Sequence, residues 1–289
     1  MSDRPVRTLF SGSRTGIGYK IVFTTTVVVF TAVFVLPFLW LVLGAMKPAV
    51  ELAKVPVTVL PEAWHPGNYA EAWRLMDLGK YFLNTVLVVA GAWLVQVLFD
   101  VPAAYALSKL KPAFGNGVLV AMLVTLMMPP ATLLVPMYLT ITDVPVLGVN
   151  LVNNPAAIWL PAAANAFNIY LLKRFFDQIP TELLDAARMD GAGAVTVLLR
   201  VVLPMARPIL AVVSILAVVA AWKDFIWPLL VFSDPALQTL SVALQRFAPD
   251  TPINLLLAGL VLAALPMIAV FLVFQRHILA GLTAGSVKG

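Results

Sequence analysis

Two groups of charged residues stand where they could do chemistry. The first is Asp100, Lys223 and Asp224, which interrupt the apolar runs VLFDVPAAYAL and AWKDFIWPLL. A charge at membrane depth costs roughly 2.5–3.5 kcal/mol on insertion scales and usually faces a cavity or a partner. Such residues could line the path of a polar solute, with Trp222, Phe225 and Trp227 packing on its faces. They could equally bind an ion, relay protons, or join helices as a structural ion pair, with Asp100 as counter-ion to Lys223. Gln96, Asn165 and Asn168 raise the same choice more weakly, because amides commonly join helices by hydrogen bonds of about 0.6 kcal/mol. The second group, Glu182, Asp185, Arg188 and Asp190, lies in TELLDAARMDGAGAVTVLLRVVLPMARP, residues 181–208.

Other chemistries are excluded by what is missing. The chain has no cysteine, so thiolate catalysis and cysteine metal sites are impossible. His65 and His277 are far apart in sequence with no ligand cluster beside them, so no metal centre is expected. No GxxxxGK[ST] is present, and ATP hydrolysis through a phosphate-cradling loop is excluded. The net charge of +5 comes from residues scattered over loops and helix ends. That is not the basic, aromatic-interleaved stripe of a nucleic-acid binder.

The elements that position these residues are membrane spans. Only 11% of residues are charged and the mean hydropathy is +0.96, against about 25% charged in soluble domains. Long unbroken apolar runs predict helices rather than a β-barrel. Six spans are expected near 22–46, 81–107, 117–141, 155–175, 208–232 and 253–275, after a tail of residues 1–21. The first run is too long for the core of a signal peptide. Pro102, Pro129, Pro130 and Pro136 predict kinked helices packed in protein.

With the N-terminus inside, thirteen Lys or Arg fall on inner segments: Arg4, Arg7, Arg14, Lys20, Lys109, Lys111, Lys173, Arg174, Arg188, Arg200, Arg207, Arg276 and Lys288. Five fall outside: Lys47, Lys54, Arg74, Lys80 and Arg246. The positive-inside rule therefore puts both termini and the 176–207 segment in the cytoplasm.

That segment is long for a connection between bundle helices, which is usually 2–8 residues. Pro180 and an N-capping Thr181 should open a helix of about two turns, with Glu182 and Asp185 complementing its dipole. Glu182, Asp185 and Arg188 share one side; Leu183 and Ala187 share another. Gly191 and Gly193 should stop it in positive-φ conformations. A second helix, VTVLLRVVLP, should then run to Pro204. The product is a polar shelf projecting from the membrane.

Asp185-Ala186-Ala187-x-x-Asp190-Gly191-Ala192, followed by Leu203-Pro204 and Pro208, resembles the EAA loop of ABC-transporter permeases, with Asp185 where that family usually has Glu. FNIYLLKRFFDQIPTELLDAARMDGA, AWKDFIWPLLVFSDPALQTLSVAL, GLTAGSVKG and KPAVEL…LPEAWHPGNYAEAW are similar to the carbohydrate, maltose-type members, over about residues 35–289. Those members tend to have Asn where Lys223 stands.

The resemblance implies an all-α membrane protein of the type I ABC importer permease fold, with six spans and a cytoplasmic coupling helix in 22–289. It implies a transport subunit that is not itself an enzyme, importing a sugar or oligosaccharide across the plasma membrane. It also implies partners: a second related permease in a heterodimer, two ATPase subunits carrying ATP and Mg, and an extracytoplasmic solute-binding protein. Glu182, Asp185, Ala186, Ala187, Arg188, Asp190, Gly191, Ala192 and Pro204 would meet the ATPase, and the tail LTAGSVKG could approach it. The competing reading is an ion- or proton-coupled secondary transporter using Asp100, Lys223 and Asp224, but no internal repeat supports it.

Overall fold

The computed structural model describes residues 17–284. Arg4, Arg7, Arg14 and the end of the tail with Lys288 lie outside the described residues, as do the side chains of Arg276 and His277. The described residues are helical, with no strand among them.

Three helices are long and apolar enough to cross a membrane: α1 (Ile17–Ala45), α4 (Leu78–Tyr105) with its continuation to Leu110, and the last helix, from Ile253. Between α1 and α4 lie the short helices α2 (Ala49–Leu52) and α3 (Asn68–Leu75). α1 begins at Ile17, upstream of the expected boundary at Val22.

One more expected span, 117–141, is a bent pair rather than a single helix. α5 (Gly115–Thr125) and α6 (Pro130–Thr142) meet at 109°. The break falls at Pro129-Pro130 because a residue before proline is pushed out of the helical region, and Pro129 is extended at ψ 128.

The fourth expected span, 155–175, is two short pieces, α7 (Ala156–Ala162) and α8 (Ala166–Asp177). Asn165 separates them by capping α8, its side chain accepting from the Asn168 amide at 3.0 Å. Next come α9 (Thr181–Met189), α10 (Ala194–Val197) and α11 (Leu203–Met205). The chain bends by 85° before α12 (Arg207–Lys223). α13 (Ile226–Val231), α14 (Leu240–Phe247) and α15 (Ile253–Ala284) complete it. Three helices can cross a membrane singly, and five spans result if each bent pair counts as one.

α4 is the axis of the molecule, packing on α7, α8, α12 and α14. Two tryptophans staple its neighbours through both ring and N–H, as an amphipathic aromatic permits. The Trp159 indole donates to the Val88 carbonyl of α4 at 3.0 Å, and the Trp227 indole to the Ala157 carbonyl at 3.0 Å.

The segment between α1 and α3 folds around a buried ion pair. Lys47 and Glu51 are 1% and 3% exposed and 3.4 Å apart. Lys47 donates to the Thr58 carbonyl and hydroxyl, and its ammonium stands over the Trp40 ring. Glu51 accepts from the Thr58 hydroxyl at 2.6 Å and from the Glu62 amide at 3.1 Å. A thin layer of chain covers it, so the Thr58 hydroxyl, the Glu62 amide and Lys47 outweigh burial and hold its pKa below the ordinary 4.5. No sequence pattern had pointed to this pair.

Two outcomes test the packing. A Cβ at Gly91 would stand 2.1 Å from the Trp159 ring. Gly91→Ala should therefore cost about 1–3 kcal/mol, as overpacked sites do, read as a lower Tm in detergent; an unchanged Tm would mean that Trp159 moves aside freely. A lowered carboxylate pKa gives stabilisation that is complete above the unfolded value and lost as pH falls through the folded one. Hydrogen exchange across 51–62, corrected for intrinsic rates, should thus rise as pH drops below 4.5, and Glu51→Gln should show that faster exchange already at neutral pH.

Candidate functional site

The 176–207 segment is held at its base and free at its tip. Leu184, 1% exposed, buries into an apolar cluster with Phe176, Ile179, Val197 and Val202, and Ala187 and Ala192 pack at its edge. Side chains three apart on a helix share a face. The anchoring face is therefore Leu184–Ala187, whereas Leu183, expected beside Ala187, is 45% exposed. The opposite face carries Glu182, Asp185 and Ala186, all exposed, and Met189 at 88%, while Arg188 is exposed at the edge of the anchoring face. Asp185 and Arg188 pair at 3.0 Å.

The caps differ in part from the sequence expectation. Pro180 occupies the N-cap position with extended backbone, and Thr181 is the first helical residue, with no side-chain cap. The proline already fixes the entry angle, leaving the hydroxyl no role there. At the other end the Ala192 amide donates to the Ala187 carbonyl and the Gly191 amide to Arg188, with Gly191 at φ 84. These are the paired bonds of a Schellman motif, which requires a left-handed residue at that point. Gly193 is extended at φ −71 and begins α10 instead.

Pro204 does not end the second helix. A π-turn over Leu198–Val202 leads into α11, which contains Pro204, and the chain bends only after Ala206. Proline lacks an N–H and crowds the carbonyl four residues back, so widening the helix there accommodates it.

The base is also fixed to α4 by polar contacts. Beyond Tyr105, α4 widens into a π-turn, Ala106–Leu110. From it Ser108, 1% exposed, donates to Asp177 at 2.7 Å, and Lys109 donates to the Ile179 carbonyl at 2.8 Å. Lys173 pairs with the other Asp177 oxygen at 2.8 Å. Burial raises the Asp177 pKa, but the Lys173 and Ser108 hydrogen bonds and the charges of Lys173 and Lys109 outweigh it, leaving the carboxyl below its ordinary value.

The membrane-depth candidates separate into two places. Asp100, 2% exposed, accepts from the Asn165 amide at 2.9 Å and is hydrogen-bonded by the Gln96 and Asn168 side chains. This knot joins α4 to α8, where Asp100 has its partners in amides and not in Lys223. Lys223 is exposed at the end of α12 and makes no ion pair among the described residues. Asp224 turns the other way, accepting from the Trp227 amide at 3.3 Å at the start of α13. The expected Asp100–Lys223 pair is thus replaced by backbone and amide contacts, which satisfy a buried carboxylate without a second buried charge.

Trp222 and Phe225 line a cavity of about 340 Å³ with Thr85, Ser241, Leu244 and Gln245. Trp227, 6% exposed, is instead in the core with Val88 and Ile158. Among the described residues no group of three or more His, Cys, Asp or Glu could hold a metal ion.

Residues 100–283 match the family described as "binding-protein-dependent transport system inner membrane component". The chain belongs to that family. This permease is similar to the probable ABC transporter permease protein YurM of Bacillus subtilis, 35% identical over 88% of this chain and 83% of that protein. It is also similar to the melibiose/raffinose/stachyose import permease protein MelC of the same organism, 34% identical over 77% of this chain and 80% of that protein. A crystal structure of a bacterial ABC transporter that imports alginate contains a chain of the same fold, with TM-score 0.80 and 24% identity over 92% of this chain and 98% of that one. The chain is thus a multi-pass membrane protein with the ABC importer permease fold.

The Gly191 turn gives the permease a clean local test. No atom lies within 4 Å of a Cβ added there, so any effect comes from φ, at roughly 1–2 kcal/mol for a left-handed residue. Gly191→Val should raise amide exchange in 181–189 about tenfold while the chain still inserts. Unchanged exchange would mean that the turn does not need its left-handed residue.

Proposed function

We propose that this permease carries a sugar or oligosaccharide into the cell as half of a heterodimer with a second, related permease. Two ATPase subunits holding ATP and Mg drive the pair, and an extracytoplasmic solute-binding protein delivers the solute. The chain itself performs no hydrolysis. Both termini and α9 face the cytoplasm, in keeping with thirteen basic residues on that side against five. The α5–α6 pair, the α7–α8 unit, and α12 with α13 then serve as the third to fifth of six spans.

The observation that carries this reading is the projection of α9. Its base is buried through Leu184, while Asp185, Ala186, Arg188 and Met189 stand exposed, with the Asp185–Arg188 pair their one polar contact among the described residues. A helix presenting a small-residue and charged face fits a groove on another protein. With Glu182, Asp190, Gly191 and Ala192 it forms the ATPase-coupling surface, and Pro204 keeps the following bend in place. ATP binding that draws two such projections together would shift the spans between inward- and outward-facing states, because the seated helix biases one of two packed arrangements.

The carbohydrate assignment rests on the relative named for melibiose, raffinose and stachyose and on the cavity bearing Trp222 and Phe225 with the polar Ser241 and Gln245. Aromatic faces with a few hydrogen-bonding groups suit hydroxyl-rich rings. Lys223 and Asp224 fall in sequence between the lining residues Trp222 and Phe225, whereas Asp100, Asn165 and Asn168 join α4 to α8 well away from the cavity, and Trp227 anchors α13 in the core.

Reconstitution with the ATPase subunits and binding protein tests both levels. ATP hydrolysis should rise several-fold with one of a panel of oligosaccharides and phosphorylated polyols. Ala186→Asp, on the exposed face, should abolish uptake while the chain remains in the membrane. Normal ATP-driven uptake by that variant would remove the docking role, and stimulation by none of the sugars would remove the solute class.

A further inference from the structure

α4 is gripped by polar side chains at both of its ends, and the two grips hold different moving parts. At the cytoplasmic end Ser108 and Lys109 hold Asp177 and the Ile179 carbonyl, immediately before α9. At the far end Asn84 donates to the Ala236 and Gln238 carbonyls at 2.8 and 3.0 Å, and the Thr85 hydroxyl accepts from the Leu240 amide at 2.8 Å. Arg246 of α14 donates to the Tyr81 hydroxyl at 2.6 Å and to Gln238 at 2.9 Å, with its guanidinium on the Phe247 ring. The α14 segment therefore hangs on the first turns of α4, and it forms one wall of the Trp222–Phe225 cavity.

We infer that α4 is the transmission rod of this permease and that Ser108 and Asp177 are the positioning residues that engage it. Resting on the ABC-permease reading, the inference adds the route from α9 to the far wall of the cavity. Thirty-three residues from Leu78 to Leu110 at 1.5 Å each span about 50 Å, the reach needed to join the two faces. Coupling of this kind travels through packed elements with discrete arrangements. An apolar contact alone would let α4 slide along its axis. The Ser108–Asp177 bond and the Lys109–Ile179 bond fix its axial position against the base of α9, because each has a direction and a narrow distance range. The Asp177 carboxylate is kept charged beside Lys173 and Lys109, which strengthens the Ser108 bond. The Gln96–Asp100–Asn168 knot adds a third tie midway, to α8.

The absence of cysteine allows a direct test. Ala248→Cys, on the cavity wall at the end of α14, is labelled with a membrane-impermeant maleimide in proteoliposomes containing the whole transporter, with and without ATP and vanadate. Hydrolysis and labelling are measured together. Ser108→Ala and Asp177→Ala should keep at least half of the ATPase rate and reduce the nucleotide-dependent change in labelling at least threefold. Asp177→Asn, which preserves an acceptor for Ser108, should recover most of that change. Lys109→Met provides a second break should Ser108→Ala fail to assemble. A full labelling response in the assembled broken variants overturns the rod. A wild-type complex that hydrolyses no ATP would instead overturn the permease reading beneath it.

Discussion

A helix of nine residues does not stand alone in water, because nucleation costs more than two turns of hydrogen bonds return. α9 is such a helix, and the arrangement around it follows from the need to hold it. Leu184 inserts into a cluster built from α8, the π-turn after α10 and the end of α4. The Schellman bonds at Gly191 close its C-terminal end without a side-chain cap, and Pro180 opens it. Its outward face is consequently left free of structural duty. Charge and small side chains can be placed there without weakening the fold.

The prolines and π-turns belong to the same economy. Inside a bilayer a freed carbonyl must find a partner within the protein, since no water is available. Pro129 and Pro130 break a span into two helices at 109°, and Ala206–Pro208 turns another by 85°. The first bend lets its two halves meet different neighbours: α8 packs beside α5, and α13 beside α6. Widened turns flank the base of α9 on both sides, at Ala106–Leu110 and Leu198–Val202. Such turns let the helix present side chains that regular spacing would misdirect, as Ser108 and Lys109 show.

The fold class and the position of the projection were legible in the sequence because both are set by local pattern. Apolar run length identifies spans, and Asp190-Gly191 signals a left-handed stop regardless of what surrounds it. What stayed hidden depends on pairing across the chain. Lys47 and Glu51 look like ordinary surface charges four residues apart, and only the return of Thr58 and Glu62 buries them. Asp100 and Lys223 looked like natural partners, yet the neighbour of Asp100 is the backbone at Asn165, a residue whose importance comes from breaking a span. The Leu184 anchor was present as an i,i+3 pair with Ala187, but Leu183–Ala187 at i,i+4 fitted the same period, and nothing local chooses between them. Ser108 and Asp177 are 69 residues apart, and neither is unusual by itself.

The state of the membrane-depth charges also bears on how the transporter draws its energy. A proton or ion relay needs carboxylates whose oxygens face a path and can exchange partners. Here Asp100 is closed in by the Asn165 amide, Gln96 and Asn168, and Asp224 by the amide of Trp227 at the start of α13. Both are built into helix junctions, where a change of protonation would undo a cap before it moved an ion. Of the three, Lys223 alone is exposed, and it makes no ion pair among the described residues. Among the described residues, then, these carboxylates join helices. On the proposed reading the free energy for the transporter's movement enters through α9, whose base is buried at Leu184 and whose outward face is exposed.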